Sequence, residues 1–387
     1  MIYKDFTGRI SYISFAEDSK DGGISNAINI NKSLFNKKEI DFKWITYDSV
    51  SDLKKIIFLR NYIKSFTNSN HLFHFHGLWR THSRLNNLND TLYVVSPHGM
   101  LMPHCLKRSR LKKLISRKLW EDNFIKNSKY IFALSIQEAV SISKIYTEKN
   151  IILFPNYVNI PNISNKVINL SPPWKNDIGN SKKVLLFLSR FDSIKGIYIL
   201  IDAWMQLIKS NRNKDWSLAF VGYGDNGNLK NYIEILKNNN NLRDVFVYPP
   251  AYGLMKEACF RNSDAFILPS FSEASPMAAL EALSYGKPSI ISKSCGVYET
   301  ARFINKKSNY LSQKPYIECL PKTESIKKSL NILFNMNQKS LMELSLKSVS
   351  FIEENYNASK KFEDLLNIYS DIAKNKNIMK KFLYKKN

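Results

Sequence analysis

The sequence predicts an α/β protein made of two doubly wound domains of similar size. Short, continuous apolar runs alternate with longer segments of helical period along most of the chain, and the runs end in Gly, Ser, Asp or Pro. Strands of this kind lie in parallel sheets that helices cover on both faces. The length of 387 residues suits two domains, because one domain usually takes about 100–200 residues.

Apolar runs in the first half predict strands, and the segments between them predict helices. The predicted strands are Ile10–Phe15, Phe42–Tyr47, His71–Phe75, Leu92–Ser96, Tyr130–Leu134 and Ile151–Phe154. The predicted helices are Ile24–Phe35, Leu53–Phe66, Leu111–Phe124 and Ile136–Tyr146. These apolar runs are too short for helices of ordinary length, so we assign them to a sheet.

The second half repeats this architecture after a segment without helical period. Pro155–Lys183 is rich in Pro, Asn and Ser, which predicts a hinge. The next predicted strands are Val184–Ser189, Ser217–Val221, Val245–Tyr248, Ala265–Leu268 and Ser289–Ile291, with helices at Gly196–Lys209, Leu229–Asn238, Leu254–Phe260 and Pro276–Tyr285. Beyond residue 322 the pattern is helical only and ends with Phe351–Ala373. We therefore predict domains at 1–160 and 161–355, with 161–182 as the hinge. A C-terminal helix with a basic tail, 356–387, is predicted to pack back on the N-terminal domain.

The chain is strongly basic, with 57 Lys and Arg against 33 Asp and Glu and a net charge of +24. Such a surplus suits nucleic acid, an anionic membrane or an anionic substrate. Part of the surplus is concentrated in one stretch without acidic residues, made of Lys107, Arg108, Arg110, Lys112, Lys113, Arg117 and Lys118. Apolar residues recur among these cations at helical spacing, namely Leu111, Leu114, Ile115, Leu119 and Trp120. This pattern is typical of a helix that lies on anionic lipid.

A core position for Leu114 and Leu119, with the cations as a solvated face, is the alternative interpretation of this stretch. No zinc finger, aromatic interleaving or RNA-binding signature accompanies it, so we expect a membrane surface as partner and no nucleic acid. The four cysteines form no CxxC pair, which argues against a disulfide scaffold and a zinc site. His74 and His76 share a strand face but have no carboxylate or cysteine beside them. We therefore predict no metal and no cofactor.

Three segments at the ends of predicted strands carry candidate binding residues. Gly22 and Gly23 open the first helix, where paired glycines let an anion approach backbone N–H groups; an ordinary turn is the alternative. Arg190 and Lys195 lie on the first loop of the second domain. Such a pair of cations can neutralise a diphosphate, and two solvated surface cations are the alternative.

The segment Leu268–Pro288 is the most specific of the three. Ser275 is predicted as an N-cap and Pro276 as the first helical residue, so Glu273 precedes the helix and Glu281 lies in its second turn. The amides of Ala274, Ser275 and Met277 would then form an anion-binding helix end. Two carboxylates beside an anion are unfavourable unless they accept hydrogen bonds from hydroxyl groups, which sugars and riboses supply. An acidic surface turn is the alternative.

This segment resembles the E-x7-E signature of the retaining glycosyltransferases of family 4, which have the GT-B fold. The similarity extends in order and spacing to Gly22-Gly23, His76–Trp79, Val95–Leu101, Phe154–Asn156, Arg190, Lys195-Gly196, Val221–Gly224 and Ser263–Pro269. Three positions depart from the family's glycines: Ser189, Ala274 and Tyr157. The resemblance implies an acceptor-side N-terminal domain and a nucleotide-sugar-binding C-terminal domain.

The resemblance also implies roles for individual residues. Arg190 and Lys195 would contact the donor diphosphate, and Gly23 would lie near the phosphates. Glu273 would lie at the donor sugar and Glu281 at the ribose hydroxyls. His98 would lie near the transferred sugar, where it could position the sugar or share a proton. A satisfied polar residue at a strand end is the alternative for His98.

The expected function is transfer of a hexosyl group, with retention, from a nucleotide-diphosphate sugar to a glycan or lipid-linked glycan acceptor. Fixed cations and helix amides can stabilise the leaving diphosphate without a metal. The stretches His76–Trp79 and Ser96–Leu101 resemble members that build bacterial surface polysaccharide, which includes lipopolysaccharide, capsule and exopolysaccharide. We therefore expect a cytoplasmic enzyme, peripheral on the inner face of the cytoplasmic membrane. A GT-B sugar-nucleotide epimerase or hydrolase without transfer, or a non-catalytic binder, are the alternatives.

Overall fold

The computed structural model describes residues 8–17, 22–52, 54–66, 71–85, 88, 90–161, 171–179, 181–210, 215–239, 242–305 and 313–385. The chain divides into two compact units. The first comprises residues 1–157, 299–306 and 358–387, and the second comprises 158–298 and 307–357. The predicted domain boundaries fall close to the breaks at 157 and 357, whereas the prediction assigned 299–306 to the second domain.

The first unit is built on one sheet. Its strands are β1 (Arg9–Ile13), β2 (Phe42–Ile45), β3 (His71–His76), β4 (Tyr93–Ser96), β5 (Tyr130–Ala133), β6 (Ile151–Leu153) and, late in the chain, β13 (Leu383–Tyr384). The sheet order among the described residues is β13-β6-β5-β4-β3-β1-β2. Strands β1 to β6 are parallel, and β13 pairs antiparallel with β6.

Helices cover this sheet and bring a distant part of the chain into its core. They are α1 (Gly23–Lys37), α2 (Lys55–Lys64), α3 (Pro103–Lys107), α4 (Arg110–Ser116), α5 (Asp122–Asn127), α6 (Ile136–Ile145) and α14 (Ala358–Ala373). On α14, the ring of Phe362 packs edge-on against Phe35 of α1 at 4.7 Å between centroids. The hydroxyl of Tyr369 lies 2.7 Å from that of Tyr12 on β1. The C-terminal helix is therefore part of the core of the first unit.

The single helix predicted over 111–124 is wrong in detail. Helices α4 and α5 are joined by a π-helical turn, Arg117–Glu121. A π turn adds a residue to the helix and rotates the next residues about the helix axis. Leu119 is 64% exposed, while Glu121, on the opposite side of the helix, is fully buried.

The second unit holds a parallel sheet of its own. Its strands are β7 (Lys183–Leu188), β8 (Trp216–Val221), β9 (Val245–Tyr248), β10 (Ala265–Leu268), β11 (Ser289–Ser292) and β12 (Ile317–Cys319), in the order β12-β11-β10-β7-β8-β9 among the described residues. Its helices are α7 (Ile197–Lys209), α8 (Asn228–Asn238), α9 (Gly253–Asn262), α10 (Met277–Ser284), α12 (Thr323–Phe334) and α13 (Gln338–Asn355), and α11 (Val297–Ile304) begins in this unit. The two parallel-sheet, Rossmann-like domains predicted from the sequence are confirmed.

The second half of the chain differs from its prediction in three places. The prediction omitted β12, and also β13 of the first unit, because runs of two or three residues carry no usable period. The helix predicted over Phe351–Ala373 is two helices, since α13 ends at Asn355 and α14 begins at Ala358. Helix α10 begins at Met277 and not at Pro276, whose ψ of 103° is extended.

Candidate functional site

The second sheet has a topological switch point between β7 and β10. From β7 the chain proceeds first to β8 and β9 on one side and later to β10, β11 and β12 on the other. Ligands of open α/β sheets bind in the crevice outside the carboxyl ends of the strands at such a point. The loop after β7 carries Arg190 and Lys195, and the loop after β10 carries Glu273. The topology therefore gathers these predicted residues at one crevice.

Lys195 and Glu273 form an ion pair at this crevice. Lys195 Nζ lies 2.5 Å from Glu273 Oε1, and the two side chains are only 13% and 11% exposed. The two loops are also tied through their backbones, because the carbonyl of Ile194 accepts hydrogen bonds from the Phe271 amide at 2.7 Å and the Ser270 hydroxyl at 2.9 Å. The two loops that carry the cation and the carboxylate are thus tied to each other by side-chain and backbone contacts.

Gly196 explains how the two loops approach so closely. Its φ is +76°, and a Cβ atom there would lie 2.2 Å from the carbonyl oxygen of Pro269. Only glycine fits a left-handed position in contact with another backbone. Glycine directly after Lys195 therefore allows the backbone that carries this cation to turn in contact with the loop that follows β10.

Alanine at Gly196 is expected to destabilise the protein more than alanine at Gly227. Gly227 also has a positive φ, +84°, but a Cβ there would meet no atom within 4 Å. Gly227→Ala should lower the free energy of unfolding only through the left-handed conformation, by about 1–2 kcal/mol. Gly196→Ala should add the effect of a backbone clash, about 1–3 kcal/mol. Urea unfolding of both variants measures the difference. Equal losses of free energy at the two positions would contradict the close contact.

Glu281 has a partner that the sequence did not indicate. Lys256 Nζ, on α9, lies 2.7 Å from Glu281 Oε1 and 2.6 Å from Oε2. Both side chains are about one-fifth exposed, at 22% and 19%. Nothing in the sequence relates these residues, because the contact joins two different helices. Any ligand hydroxyl that binds Glu281 therefore meets a carboxylate whose charge is already balanced.

The other predicted residues of this segment lie around the start of α10. Ala274 and Ser275 are half-buried, Pro276 and Met277 are buried, and Arg190 is exposed at the end of β7. Ser275 is not the N-cap, since Pro276 takes that position and its carbonyl accepts from the amides of Ala279 and Leu280 at 3.1 and 3.2 Å. The helix starts one residue later than predicted because the backbone of Pro276 itself is extended.

The first sheet has its own switch point, between β1 and β3, and the loop after β1 leads to Gly22 and Gly23. Gly22 has a φ of 55° and precedes α1, which begins at Gly23. Asp21, the residue before this glycine pair, lies outside the described residues. On the next strand of the sheet, His98 follows β4 in a left-handed conformation with a φ of 53°.

A buried carboxylate holds the turn that carries His98. Glu138 Oε1 accepts from the Gly99 amide at 2.5 Å, and Oε2 accepts from the Leu134 amide at 2.8 Å. Burial raises the pKa of Glu138 to about 7, against the opposing effect of these two amides. Burial also lowers the pKa of His98 to about 4. His98 is therefore a neutral imidazole near pH 7 and acts there as a hydrogen-bonding group without charge.

Two of the three histidines of β3, His74 and His76, join a buried polar network. His74 Nδ1 lies 2.6 Å from the Tyr369 hydroxyl, and its Nε2 lies 2.7 Å from the Ser96 hydroxyl. His76 Nδ1 lies 2.9 Å from His98 Nε2. Within the described part of the chain, no three His, Cys, Asp or Glu side chains come together as a metal-binding group.

The basic stretch of 107–118 lies on the surface of the first unit with its apolar residues exposed. The exposed fractions of Leu111, Leu114, Ile115 and Leu119 are 76%, 49%, 57% and 64%. A core position for Leu114 and Leu119, the alternative considered from the sequence, is therefore wrong. Five of the predicted docking cations are exposed, namely Lys107, Arg108, Arg110, Lys112 and Lys118.

The two other docking cations have structural contacts. Arg117 pairs with Asp122 at 2.9 Å. Lys113 donates to the Cys105 carbonyl and lies over the Trp79 ring. None of the helices traced in the described ranges is long and apolar enough to span a bilayer.

The two parallel-sheet, Rossmann-like units have the GT-B fold, which solved structures similar to this chain share. Residues 172–345 match the family described as Glycosyl transferases group 1, so this part of the chain carries that family's sequence signature. Sucrose-phosphate synthase from Thermosynechococcus elongatus is similar in structure, with a TM-score of 0.69 and 14% identity over 94% of this chain and 99% of that one. WaaG, a glycosyltransferase involved in lipopolysaccharide biosynthesis, gives a TM-score of 0.61 and 14% identity over 92% and 99%.

Curated relatives are similar over part of the chain. An uncharacterized glycosyltransferase of Haemophilus influenzae is 26% identical over 213 residues, which cover 52% of this chain and 54% of that protein. The chain spans about half the length of the first curated relatives it matches, 54% and 57%.

Proposed function

We propose that this protein is a metal-independent, retaining glycosyltransferase that moves a hexosyl group from a nucleotide-diphosphate sugar to a glycan or lipid-linked glycan acceptor. The observation that carries the proposal is the Lys195–Glu273 pair at the switch point of the second sheet. The family match over 172–345 and the GT-B fold support the same class of reaction. Similarity to WaaG supports a place in the assembly of surface polysaccharide.

The reaction breaks the bond between C1 of the sugar and the diphosphate. Negative charge develops on the leaving diphosphate, and the sugar gains oxocarbenium character. Arg190 and Lys195 would stabilise the diphosphate, together with the amides at the start of α10. The leaving phosphate would take the proton of the acceptor hydroxyl on the same face of the sugar, which preserves the configuration at C1.

Carboxylates would orient the sugar and the ribose. Glu273 would accept hydrogen bonds from sugar hydroxyls beside the cation that binds the diphosphate. Glu281, held by Lys256, would accept from the ribose hydroxyls. Each carboxylate is already paired with a lysine, so a donor with a negative diphosphate meets no uncompensated acid at the site.

Nucleotide-sugar binding and hydrolysis test this function. Thermal shift against UDP-, GDP- and ADP-sugars should select one base, and that donor should be hydrolysed slowly without acceptor, equally with and without EDTA. Epimerised sugar, or fast hydrolysis that no glycan acceptor diverts to transfer, would favour the epimerase or hydrolase alternative. No stabilisation and no hydrolysis with any donor would contradict the proposal.

The same proposal places the enzyme on an anionic membrane, at the inner face of the cytoplasmic membrane. The exposed leucines and isoleucine of α4 and the π turn lie among exposed cations. Apolar side chains at the headgroup boundary and cations facing anionic lipid are the two components of interfacial binding. A lipid-linked acceptor would then be presented at the surface on which the enzyme is bound.

Charge reversal at Lys112 and Lys118 is expected to weaken binding to anionic vesicles at least about thirty-fold, since each surface cation contributes about 1 kcal/mol. Both residues are exposed, so the fold should tolerate the change. Co-sedimentation with phosphatidylglycerol and phosphatidylcholine vesicles measures it. Reversal of Lys230 and Lys339, also exposed, is the matched control with the same net charge. Equal vesicle binding by the two double variants would contradict the docking surface.

A further inference from the structure

The imidazole of His98 has one nitrogen already engaged inside the protein. His76 Nδ1 lies 2.9 Å from His98 Nε2, so one of these nitrogens donates and the other accepts. Burial lowers the pKa of both histidines, that of His98 to about 4 and that of His76 well below its usual value. Near pH 7 each ring therefore holds a single proton. The direction of this one hydrogen bond fixes the tautomer of both rings.

The polar groups around His76 are occupied with one another. The Tyr12 hydroxyl is bonded to that of Tyr369 at 2.7 Å, and Tyr369 is also bonded to His74. The Tyr157 hydroxyl donates to Asn31 Oδ1. These residues line the same cavity as His76 and His98. His76 is 6% exposed, and its Nε2 has no hydrogen-bond partner among the described residues.

This unpartnered nitrogen distinguishes the two directions of the bond. If His98 donated to His76, the single proton of His76 would sit on Nε2, as a buried N–H without an acceptor. If His76 donates from Nδ1, its Nε2 is an unprotonated ring nitrogen instead. A buried N–H group without an acceptor costs more free energy than a buried ring nitrogen without a donor. The second direction is therefore favoured, and His98 then keeps its proton on Nδ1.

We propose that His76 is a positioning residue that holds His98 as the Nδ1–H tautomer, so that His98 offers an N–H donor to a sugar oxygen in the cavity that both histidines line. The identity of that ligand rests on the proposed function. Such an imidazole can bind a hydroxyl or ring oxygen through Nδ1 but has no free lone pair to remove a proton from the acceptor. Of the two roles considered for His98, the tautomer selects positioning of the sugar.

The backbone that carries His98 is fixed separately. Glu138 holds the Gly99 amide, and His98 itself adopts a left-handed conformation. Loss of His76 should therefore leave the turn in place and free only the ring. Asparagine at 76 can donate from its amide at nearly the position of Nδ1, whereas leucine cannot.

Nitrogen-15 NMR of histidine-labelled protein tests the tautomer directly. Long-range proton–nitrogen correlations report which nitrogen of each ring is protonated, and His98→Gln assigns the signals of His98. The expected result is an Nδ1–H form for His98 in the wild type and in His76→Asn, and a mixture of tautomers in His76→Leu. An Nε2–H form in the wild type, or an unchanged His98 signal in His76→Leu, would overturn the proposal.

Kinetics provide a second measurement on the same variants. Donor hydrolysis should fall about tenfold in kcat for His76→Leu and be largely retained in His76→Asn. His104→Gln, at an exposed histidine, is the control. Should His76→Leu fail to fold, the wild type and His76→Asn still decide the tautomer. Absence of turnover with every donor would contradict the proposed function and leave the NMR result standing.

Discussion

Alanine at Lys195 is expected to lower turnover of the nucleotide-sugar donor by about 10²–10³-fold, the usual effect of removing one preorganised charge or donor from a developing anion. Lys195 has two tasks. It would stabilise the leaving diphosphate, and it balances Glu273 at 2.5 Å in a site where both side chains are largely buried. Its loss therefore removes a cation and leaves a carboxylate uncompensated beside the diphosphate. The measurement is kcat/KM for donor hydrolysis and transfer.

The chain offers a matched control for this variant. Lys182 forms an ion pair with Asp244, and these side chains are 30% and 20% exposed. Lys182 directly precedes β7 and Asp244 directly precedes β9. This pair therefore lies at the amino ends of the strands, whereas Lys195 and Glu273 lie at the carboxyl ends. Lys182→Ala should lose similar stability and keep full activity. If both alanine variants lost activity to the same degree, the effect of Lys195 would be structural and its role at the diphosphate would be contradicted.

Glutamine at Glu273 distinguishes binding of the donor's diphosphate from binding of its sugar. Glu273→Gln keeps the cation and removes the opposing charge, so the affinity for the free nucleoside diphosphate should be equal to or tighter than that of the wild type. Transfer should nevertheless fall, because the hydroxyl acceptor at the sugar is weaker. Lys195→Ala should instead weaken nucleoside diphosphate binding. Titration of UDP, GDP and ADP into the variants measures this, and loss of diphosphate affinity in Glu273→Gln would contradict the assignment.

Most of the strands could be predicted from the sequence because they are short, largely apolar runs. A strand buried on both faces needs no partner information to be recognised, and β3, β8 and β10 end within one residue of their predicted ends. The π turn could not be predicted, since it depends on burying Glu121 against the Trp79 amide and the Ser83 hydroxyl, to which it is bonded. Short β12 and β13 exist only because a neighbouring strand pairs with them.

The candidate site was partly predictable for the same reason. Lys195 and Glu273 each follow an apolar strand, and adjacent strands of a parallel sheet bring their following loops together. Lys256 follows no strand end and reaches Glu281 from α9, so its contact depends on helix packing that has no local signature. The resemblance to the family 4 glycosyltransferases suggested His98, but its bond to His76 depends on the register of β3 against β4, in which His76 pairs with Ser96.

Acidification is expected to unfold the first unit over a narrow pH range. Five histidines of that unit are kept neutral by burial, which lowers their pKa: His71, His74, His76, His82 and His98. The pKa falls to about 4 in His71, His82 and His98. In the unfolded chain all five would return to about 6.5. Below that pH the unfolded state binds protons that the folded state does not.

The sign and size of the effect come from proton linkage. Each of these histidines lowers the free energy of unfolding by about 1.4 kcal/mol per pH unit as the pH falls below about 6. Glu121 and Glu138 act in the opposite direction, because burial raises the pKa of both to about 7. Between about pH 4.5 and 7 these two carboxyl groups are protonated in the folded state and ionised in the unfolded state. Together they offset about 3 kcal/mol per pH unit of the destabilisation by the histidines. The net loss is about 4 kcal/mol per pH unit between about pH 6 and 4.5, a large part of the 5–15 kcal/mol typical of a folded domain.

Thermal unfolding followed by circular dichroism from pH 7.5 to 4.5 measures this loss as a steep fall in Tm below about pH 6. His71→Gln removes one titrating group while its amide can still reach the Ser11 hydroxyl, which lies 2.9 Å from His71 Nε2. The slope of the free energy of unfolding against pH should therefore be smaller in this variant by about 1.4 kcal/mol per pH unit. His104→Gln, at an exposed histidine, is the control variant. A stability that stays flat down to pH 5, or equal slopes for the wild type and His71→Gln, would contradict burial of neutral histidines as the cause.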